Sequence, residues 1–171
     1  MLFADVRGYT KLTGGLSAAE VPALVNRFYE TASKALLSHE GLLGQIEGDN
    51  VMSLFVPGLA GSEYQASAVE AGRSLLQAVG PGTELSLEVG VGISSGEEYV
   101  GNVGGGGYKD FTAVGDVTNT AARITAVARD GEIIIDTPTY DAVARAYPDA
   151  EQQQLVLKGK RAPVDVFRIP P

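Results

Sequence analysis

Short apolar runs that are typical of β-strands alternate along this chain with longer segments whose apolar residues recur at helical spacing. The strand-like runs are 1–4, 42–46, 51–55, 85–93, 99–103, 132–136, 155–157 and 164–169. The helical segments follow Ser17, Gln65, Asp116 and Thr137. Strands interleaved with helices, some of them paired as hairpins, predict an α+β sandwich around a central antiparallel sheet. Within it, we expect the run 99–103 to pair beside the run 85–93.

The length and charge of the chain limit what it can bind. Its 171 residues suit one domain with one sizeable core, so we expect residues 1–171 to form a single unit. A formal net charge of -8 argues against non-specific binding to nucleic acid or to an anionic membrane. A nucleotide remains compatible, because bound metal ions can supply the positive charge that a phosphate needs.

The chain shows no sign of export or membrane insertion. It has no cysteine, which excludes a disulfide framework and a thiolate zinc site and makes a reducing cytoplasm the easiest location. No stretch reaches the roughly 18 apolar residues of a membrane span, and no signal-peptide pattern is visible. The chain opens inside an apolar run, which indicates a domain trimmed at or near its first strand and is compatible with regulatory domains outside this chain.

Two aspartates follow strand-like runs that the predicted sheet can bring together. Asp5 follows the run 1–4, and Asp49 lies in the turn between the runs 42–46 and 51–55. If the first run and the hairpin are neighbours, the two carboxylates converge at one edge, where they suit Mg²⁺ or Mn²⁺. Aspartates are also common as turn formers and strand-end caps, so the spacing alone leaves that structural interpretation open.

Two further groups of residues are compatible with phosphate chemistry. Asn119 and Arg123 lie four apart on one helical segment and share a face that suits a ribose and a phosphoryl group, or simply faces solvent. Residues 158–161 form a basic turn that suits a triphosphate or, alternatively, an ordinary soluble hairpin tip. We expect Glu97 and Glu98 to be solvated.

Six motifs in order resemble those of the class III adenylyl and guanylyl cyclase catalytic domain, in its bacterial type. They are FADVRGYT at 3–10, GDNVM at 48–52, VGVGISSG at 89–96, GNVG at 101–104, FTAVGDVTNTAAR at 111–123 and LKGK at 157–160. Any one motif is weak, but six in order over nearly the whole chain, from Phe3 to Arg168, are specific.

The resemblance implies an α+β fold with a ferredoxin-like βαββαβ core, a central mainly antiparallel sheet flanked by helices, and a C-terminal strand–helix–hairpin extension. It implies an adenylate cyclase that converts ATP to 3′,5′-cyclic AMP and pyrophosphate with two divalent metal ions, Mg²⁺ or Mn²⁺. The implied metal-binding residues are Asp5, Val6 and Asp49. The implied phosphate-binding residues are Arg7, Gly8, Tyr9, Thr10 and Lys158.

The resemblance also implies a homodimer whose active sites are shared between the two chains. One chain holds the metal ions. Its partner contributes Asn119 to orient the ribose, Arg123 to stabilise the pentavalent phosphorus, and Lys158 to bind the terminal phosphates.

Base recognition is where the chain departs from the family pattern. The position that usually holds Lys in adenylyl cyclases and Glu in guanylyl cyclases is Gln45, and its counterpart across the base is Thr112. Because a Gln amide both donates and accepts hydrogen bonds, it can pair with either purine. We therefore expect ATP as substrate, with relaxed discrimination against GTP.

Two alternatives to an active cyclase follow from the same residues. Gln45, together with Gly107 and Tyr108 where bacterial relatives often carry an arginine, is compatible with a nucleotide-binding regulatory domain of little turnover. A dinucleotide cyclase is disfavoured, because the chain lacks the Gly-Gly-Asp/Glu-Glu-Phe turn of that family.

Overall fold

The computed structural model describes residues 1–107 and 109–170, and of residues 45–47 it describes the backbone alone. The strands are β1 (Leu2–Val6), β2 (Leu42–Glu47), β3 (Asn50–Leu54), β4 (Val89–Ile93), β5 (Tyr99–Val103), β6 (Asp110–Val114), β7 (Ile133–Asp136), β8 (Glu151–Leu155) and β9 (Val164–Ile169). The helices are α1 (Tyr9–Thr13), α2 (Glu20–Leu37), α3 (Pro57–Ala60), α4 (Tyr64–Val79), α5 (Asp116–Thr125) and α6 (Thr137–Val143).

Seven strands form the main sheet in the order β2-β3-β1-β4-β7-β9-β8. Every neighbouring pair in it is antiparallel except β4 and β7, which are parallel. The first strands and helices give the ferredoxin-like βαββαβ arrangement, and the strand–helix–hairpin that follows extends the sheet. The fold class predicted from the sequence is therefore confirmed.

The alternation of side chains along β1 divides the molecule into two layers. Leu2, Ala4 and Val6 point into the large core beneath α2 and α4, where all three are buried. Phe3 and Asp5 therefore lie on the opposite face, which α5 covers. Helix α5 can approach that face closely because β4 carries glycine there: a Cβ on Gly92 would lie 2.3 Å from Oγ1 of Thr125.

Strands β5 and β6 form a separate two-stranded sheet, which corrects the expected pairing of 99–103 beside 85–93. The physical reason is that both edges of β4 are already occupied, by β1 and by β7. Strand β4 is also shorter than expected, because Ser86 adopts a positive φ of 46° and interrupts the extended run. No helix in the described part of the chain combines the length and apolar character needed to cross a bilayer.

Candidate active site

The two aspartates predicted to form a metal site lie side by side. Asp5 is within β1, where it is paired in register with Asn50 at the start of β3. Asp49 precedes that residue in the turn of the β2–β3 hairpin, and the Val6 amide donates a 3.0 Å hydrogen bond to the Asp49 carbonyl. The hairpin turn is thus fastened to the end of β1, which places both carboxylates at one edge.

Tyr29 on α2 contacts the same turn, and no local pattern in the sequence predicts this contact. Its hydroxyl donates a 2.6 Å hydrogen bond to the carbonyl of Gly48, whose φ of 57° makes the tight turn possible. Burial raises the pKa of the Tyr29 phenol, and the nearby Tyr9 and Asp49 act in the same direction. The phenol therefore stays protonated and remains a donor to the turn.

The closeness of the two carboxylates is visible in the electrostatics of Asp5. Burial raises the pKa of Asp5, and the charge of Asp49 and a hydrogen bond from its side chain raise it further. Arg7 opposes both effects. Two half-buried carboxylates in contact repel each other when both are ionised, so a cation stabilises the site.

Arg7 supplies that cation from within the chain. Its Nη2 lies 2.8 Å from Oδ2 of Asp5, its Nε donates to the Asp5 carbonyl at 3.2 Å, and its Nη1 donates to the Ala126 carbonyl at 3.5 Å. The Nη2 atom is buried, yet within the described residues it has no aligned hydrogen bond. The Arg7–Asp5 contact is therefore held mainly by charge.

The donor set fits a hard divalent cation. Asp5 and Asp49 offer carboxylate oxygens, which Mg²⁺ and Mn²⁺ prefer. Among the residues whose side chains the structure describes, which leaves out 45–47, 108 and 171, no three or more His, Cys, Asp or Glu side chains form a cluster that could hold a metal by themselves. Two carboxylates with room for substrate oxygens and water match the way Mg²⁺ is bound at nucleotide sites.

The predicted phosphate-binding loop leads from β1 into the short helix α1. Gly8 adopts a left-handed φ of 63° at the start of that helix, and its carbonyl accepts a 2.9 Å hydrogen bond from the Leu12 amide. Gly8 and Thr10 are exposed and Tyr9 is half-buried. The loop thus presents its backbone beside the two aspartates, whereas the Arg7 side chain turns back to Asp5.

Asn119 and Arg123 lie on α5, which is formed as expected but ends at Thr125. Asn119 is exposed, and its Nδ2 donates a 2.9 Å hydrogen bond to the Gly115 carbonyl. Arg123 is half-buried and has no ion-pair partner within the part of the chain that the structure describes. A partly buried, unpaired guanidinium is costly unless a ligand pairs with it.

The basic loop 158–160 packs against Arg123. A Cβ on Gly159 would lie 3.3 Å from Nη2 of Arg123, and Gly159 has a φ of 82°, so glycine is needed for both the turn and the close contact. Lys160 forms an ion pair with Asp116 at the start of α5. Lys158 is exposed. The structure therefore places Arg123 against the loop that carries Lys158, with Asn119 on the same helix.

Glu98 is half-buried rather than solvated, which corrects the sequence-based expectation for this residue but not for Glu97, which is exposed. Its carboxylate accepts 2.9 Å hydrogen bonds from the backbone amide and the hydroxyl of Thr118. This contact joins β5 to the first turn of α5, where a negative charge also favours the helix dipole. A contact across twenty residues leaves no local sequence signal.

The two residues predicted to read the base lie on strands that touch. Strand β2, which contains Gln45, contacts β6, in which Thr112 is buried. The pairing of β2 with β3 shifts between Leu43 and Ile46, so the ladder is irregular at Gly44 and Gln45. The Gln45 side chain and Tyr108 lie outside the described residues.

No hydrogen bond or ion pair joins the aspartate pair to Asn119, Arg123 or Lys158 within the described residues. The candidate residues therefore form two groups, which we call the two partial sites. One is the acidic edge formed by Asp5 and Asp49 with the 7–10 loop. The other is the basic face of α5 and the 158–160 loop.

Comparison with known proteins identifies the family and the fold. The sequence profile of the family described as "Adenylate and Guanylate cyclase catalytic domain" matches residues 1–169. Among curated proteins, the uncharacterized protein Mb1354c of Mycobacterium bovis is 28% identical over 130 residues, which are 75% of this chain and 23% of that protein. The uncharacterized protein Rv1320c of Mycobacterium tuberculosis is similar to the same extent. The chain thus spans about a quarter of the length of these relatives.

Solved structures give the same result. The guanylyl cyclase Cya2 superposes with a TM-score of 0.87 at 27% identity, covering 98% of this chain and 89% of that one. The adenylyl cyclase CyaB from P. aeruginosa superposes with a TM-score of 0.85 at 28% identity, covering 99% of this chain and 92% of that one. Similar structures therefore include enzymes of both specificities.

Proposed function

Because this chain belongs to the adenylate and guanylate cyclase catalytic domain family, we propose that it is a purine nucleotide cyclase that converts ATP to 3′,5′-cyclic AMP and pyrophosphate. The observation that carries the proposal is the pair of contacting carboxylates, Asp5 and Asp49, next to a loop that presents its backbone. A chain with no phosphate to bind has little physical reason to keep two repelling carboxylates in contact.

Asp5 and Asp49, with the Val6 carbonyl beside them, would hold two divalent ions, Mg²⁺ or Mn²⁺. When bound, these ions supply the charge that acidifies the ribose 3′-hydroxyl and neutralises the triphosphate. In the reaction the 3′-oxygen forms a bond to the α-phosphorus, the bond to the pyrophosphate oxygen breaks, and the hydroxyl proton leaves to solvent. The chain's own residues bind and orient: the backbone of Gly8, Tyr9 and Thr10 contacts phosphate oxygens.

We further propose that the basic partial site acts on the nucleotide held by a second chain. Arg123 is preorganised by Gly159 to stabilise charge on the pentavalent phosphorus, Lys158 binds the terminal phosphates, and Asn119 orients the ribose. A symmetric homodimer then contains two complete sites.

The β5–β6 hairpin supports this dimer. It leaves five large apolar side chains exposed on a small sheet that has no third strand among the described residues. These are Tyr99, Val100, Val103, Phe111 and Val114. Exposed apolar surface of this kind marks protein–protein contacts, and a second copy is the partner that the shared site requires.

For the base, we propose ATP over GTP with relaxed discrimination. The support is that β2, the strand of Gln45, contacts β6, the strand of the buried Thr112, whose hydroxyl can pair with adenine.

The test is product formation by the purified chain with ATP or GTP, each with Mg²⁺ or Mn²⁺, analysed by chromatography. We expect cyclic AMP as the main product, a smaller yield of cyclic GMP from GTP, and loss of both in Asp49→Ala. Binding of ATP without any cyclic product would overturn the cyclase and favour a nucleotide-binding regulatory domain.

A further inference from the structure

The Arg7 side chain contacts the carboxylate of Asp5, to which the proposed function assigns a metal ion. Its guanidinium contacts Asp5 at two points, Nη2 to Oδ2 at 2.8 Å and Nε to the carbonyl oxygen at 3.2 Å. Both side chains are mostly shielded from solvent, with 20% of Arg7 and 27% of Asp5 exposed. An ion pair this shielded is screened only weakly by salt.

The Arg7–Asp5 contact is electrostatically strong but geometrically incomplete. The Nη2 atom is buried without an aligned hydrogen bond, and the Nη1 contact to the Ala126 carbonyl is long, at 3.5 Å. An arginine with a permanent structural role usually satisfies its donors in a fixed fork. Here Asp5 neutralises the charge of Arg7, but the Nη1 and Nη2 donors make only long or unaligned hydrogen bonds. Moving the side chain away from Asp5 therefore costs little in hydrogen bonding.

A guanidinium and a divalent ion bound to the same carboxylate repel each other, so each weakens the binding of the other. We propose that Arg7 is an internal counter-ion that neutralises Asp5 in the metal-free protein and is displaced from it when a divalent ion binds. The displaced guanidinium is then free to face the triphosphate, so metal loading and phosphate binding become coupled through one side chain. This inference rests on the proposed metal role of Asp5 and Asp49.

The first test measures the affinity for Mn²⁺ without nucleotide, from the electron paramagnetic resonance signal of the free ion. Replacing Arg7→Gln removes the competing charge but keeps a polar side chain of similar reach, so we expect binding tighter by about tenfold. Arg7→Lys keeps the charge and should stay close to wild type. Arg27→Gln is the matched control. It removes the same single positive charge, but from an exposed ion pair with Glu84.

The second test follows the Arg7 side chain directly. In ¹⁵N-labelled protein, the arginine Nε–H resonance that disappears in Arg7→Gln belongs to Arg7. We expect that resonance to shift on addition of diamagnetic Mg²⁺, and not to shift in Asp49→Asn. If Arg7→Gln reduces folding, the resonance is assigned instead with Arg7→Lys, which also lacks the arginine Nε–H group.

The outcomes separate the two proposals. If wild type binds Mn²⁺, Asp49→Asn abolishes binding, and Arg7→Gln binds no tighter while the Arg7 resonance stays in place, the counter-ion role is wrong and the metal site stands. If Mn²⁺ binds to none of these proteins, both proposals fail. If Mn²⁺ binds to Arg7→Gln but not to wild type, Arg7 fully blocks the metal site in the absence of nucleotide, and the counter-ion role is supported.

Discussion

At the scale of single residues, the candidate site is an arrangement of charges that is unfavourable without a ligand. Asp5 and Asp49 repel each other, and Arg7 compensates for one of them. On the basic side, Arg123 has no ion-pair partner in the described part of the chain. Perturbed and unpaired charges of opposite sign are typical of functional sites. The acidic group and the basic group each allow a prediction about stability.

The first prediction concerns Asp49→Asn in the metal-free protein. The raised pKa of Asp5 means that the folded state favours its protonated form, so this residue costs stability as the pH rises from its ordinary pKa of 3.8 through the raised value. Removing the Asp49 charge lowers that pKa and relieves the cost. At about pH 7 we expect Asp49→Asn to be more stable by roughly 0.5 kcal/mol, a figure reduced for partial exposure.

The measurement is urea unfolding in the presence of a chelator, at about pH 7 and about pH 4. The gain should shrink at the lower pH, because protonation of Asp5 removes its repulsion of Asp49. The exposed Asp149→Asn serves as a control for the loss of one negative charge. A gain that is independent of pH, or matched by the control, would contradict the carboxylate contact.

The second prediction concerns Gly159→Ala. A methyl group there meets a φ of 82° and lies 3.3 Å from Arg123. We expect a loss of about 1–2 kcal/mol in the free energy of unfolding from the backbone alone, with lower cyclase activity because Arg123 must move. Gly58→Ala is the control: it meets nothing within 4 Å in α3, where alanine is the better helix former. Equal stability of the two variants would show that the loop is not held as described.

At the scale of secondary structure elements, the two partial sites are positioned by connections between elements rather than by the elements themselves. A hydrogen bond from Tyr29 links α2 to the β2–β3 turn, and a hydrogen bond to Glu98 links the residue before β5 to α5. An ion pair of Lys160 links the loop before β9 to α5. These contacts fix the Asp49 turn and the helix that carries Asn119 and Arg123.

The third prediction tests the link between β5 and α5. Glu98→Gln should lower the free energy of unfolding by about 1 kcal/mol, because it removes a charged acceptor at the start of a helix. A double-mutant cycle with Thr118→Val should give a coupling energy of about 0.5–1.5 kcal/mol. The neighbouring Glu97→Gln, at an exposed position, should change little. A coupling energy near zero would mean that Glu98 does not interact with the Thr118 hydroxyl, and an unchanged stability of Glu98→Gln would contradict the link to α5 as a whole.

Local patterns predicted most elements but not how some of them pair. Apolar periodicity located β1, the β2–β3 hairpin, α2 and α4, because each buries one stripe or face. Apolar periodicity did not predict the partner of β5. Strand β5 cannot pair with β4 because β1 and β7 already occupy both edges of β4, and edge occupancy is a property of the whole sheet. The periodicity also missed the capping role of Glu98, since only the tertiary fold brings this carboxylate to Thr118.

The same distinction applies to the candidate site. The spacing of Asp5 and Asp49 alone slightly favoured ordinary turn and strand-end residues, and the order of the motifs then favoured a metal pair. Their contact depends on the register Asp5 with Asn50, which is set where β1 joins the hairpin. The Arg7–Asp5 pair was beyond sequence reasoning, because an arginine in a loop reveals its partner only when its side chain is placed.

At the scale of the whole molecule, one chain has two partial sites of opposite charge and an exposed apolar hairpin. The net charge of -8 would keep separate copies apart, so association must depend on local apolar contact. Strand residues Tyr99, Phe111 and Val114 are each more than half exposed, at 56%, 54% and 51%. Their burial in a homodimer would provide that contact and bring the acidic edge of one chain to the basic face of the other.

The fourth prediction tests the shared site by mixing two inactive chains, Asp49→Ala and Arg123→Ala. In a mixed dimer one site loses both residues, while the other combines the intact Asp49 of one chain with the intact Arg123 of its partner. Random pairing makes half of the dimers mixed, each with one working site, so we expect about a quarter of wild-type cyclase activity per chain. Each variant alone should have almost none.

Mixed dimers must be shown directly, by differently tagged chains recovered together, so that a lack of activity cannot be due to a lack of pairing. Mixing Asp49→Ala with Asp5→Ala is the matched negative control, because both changes damage the acidic edge and every mixed site stays incomplete. Recovery with Arg123→Ala but not with Asp5→Ala would place the two partial sites on different chains of one active site. Mixed dimers that stay inactive in both cases would contradict the shared site while leaving the metal pair of each chain intact.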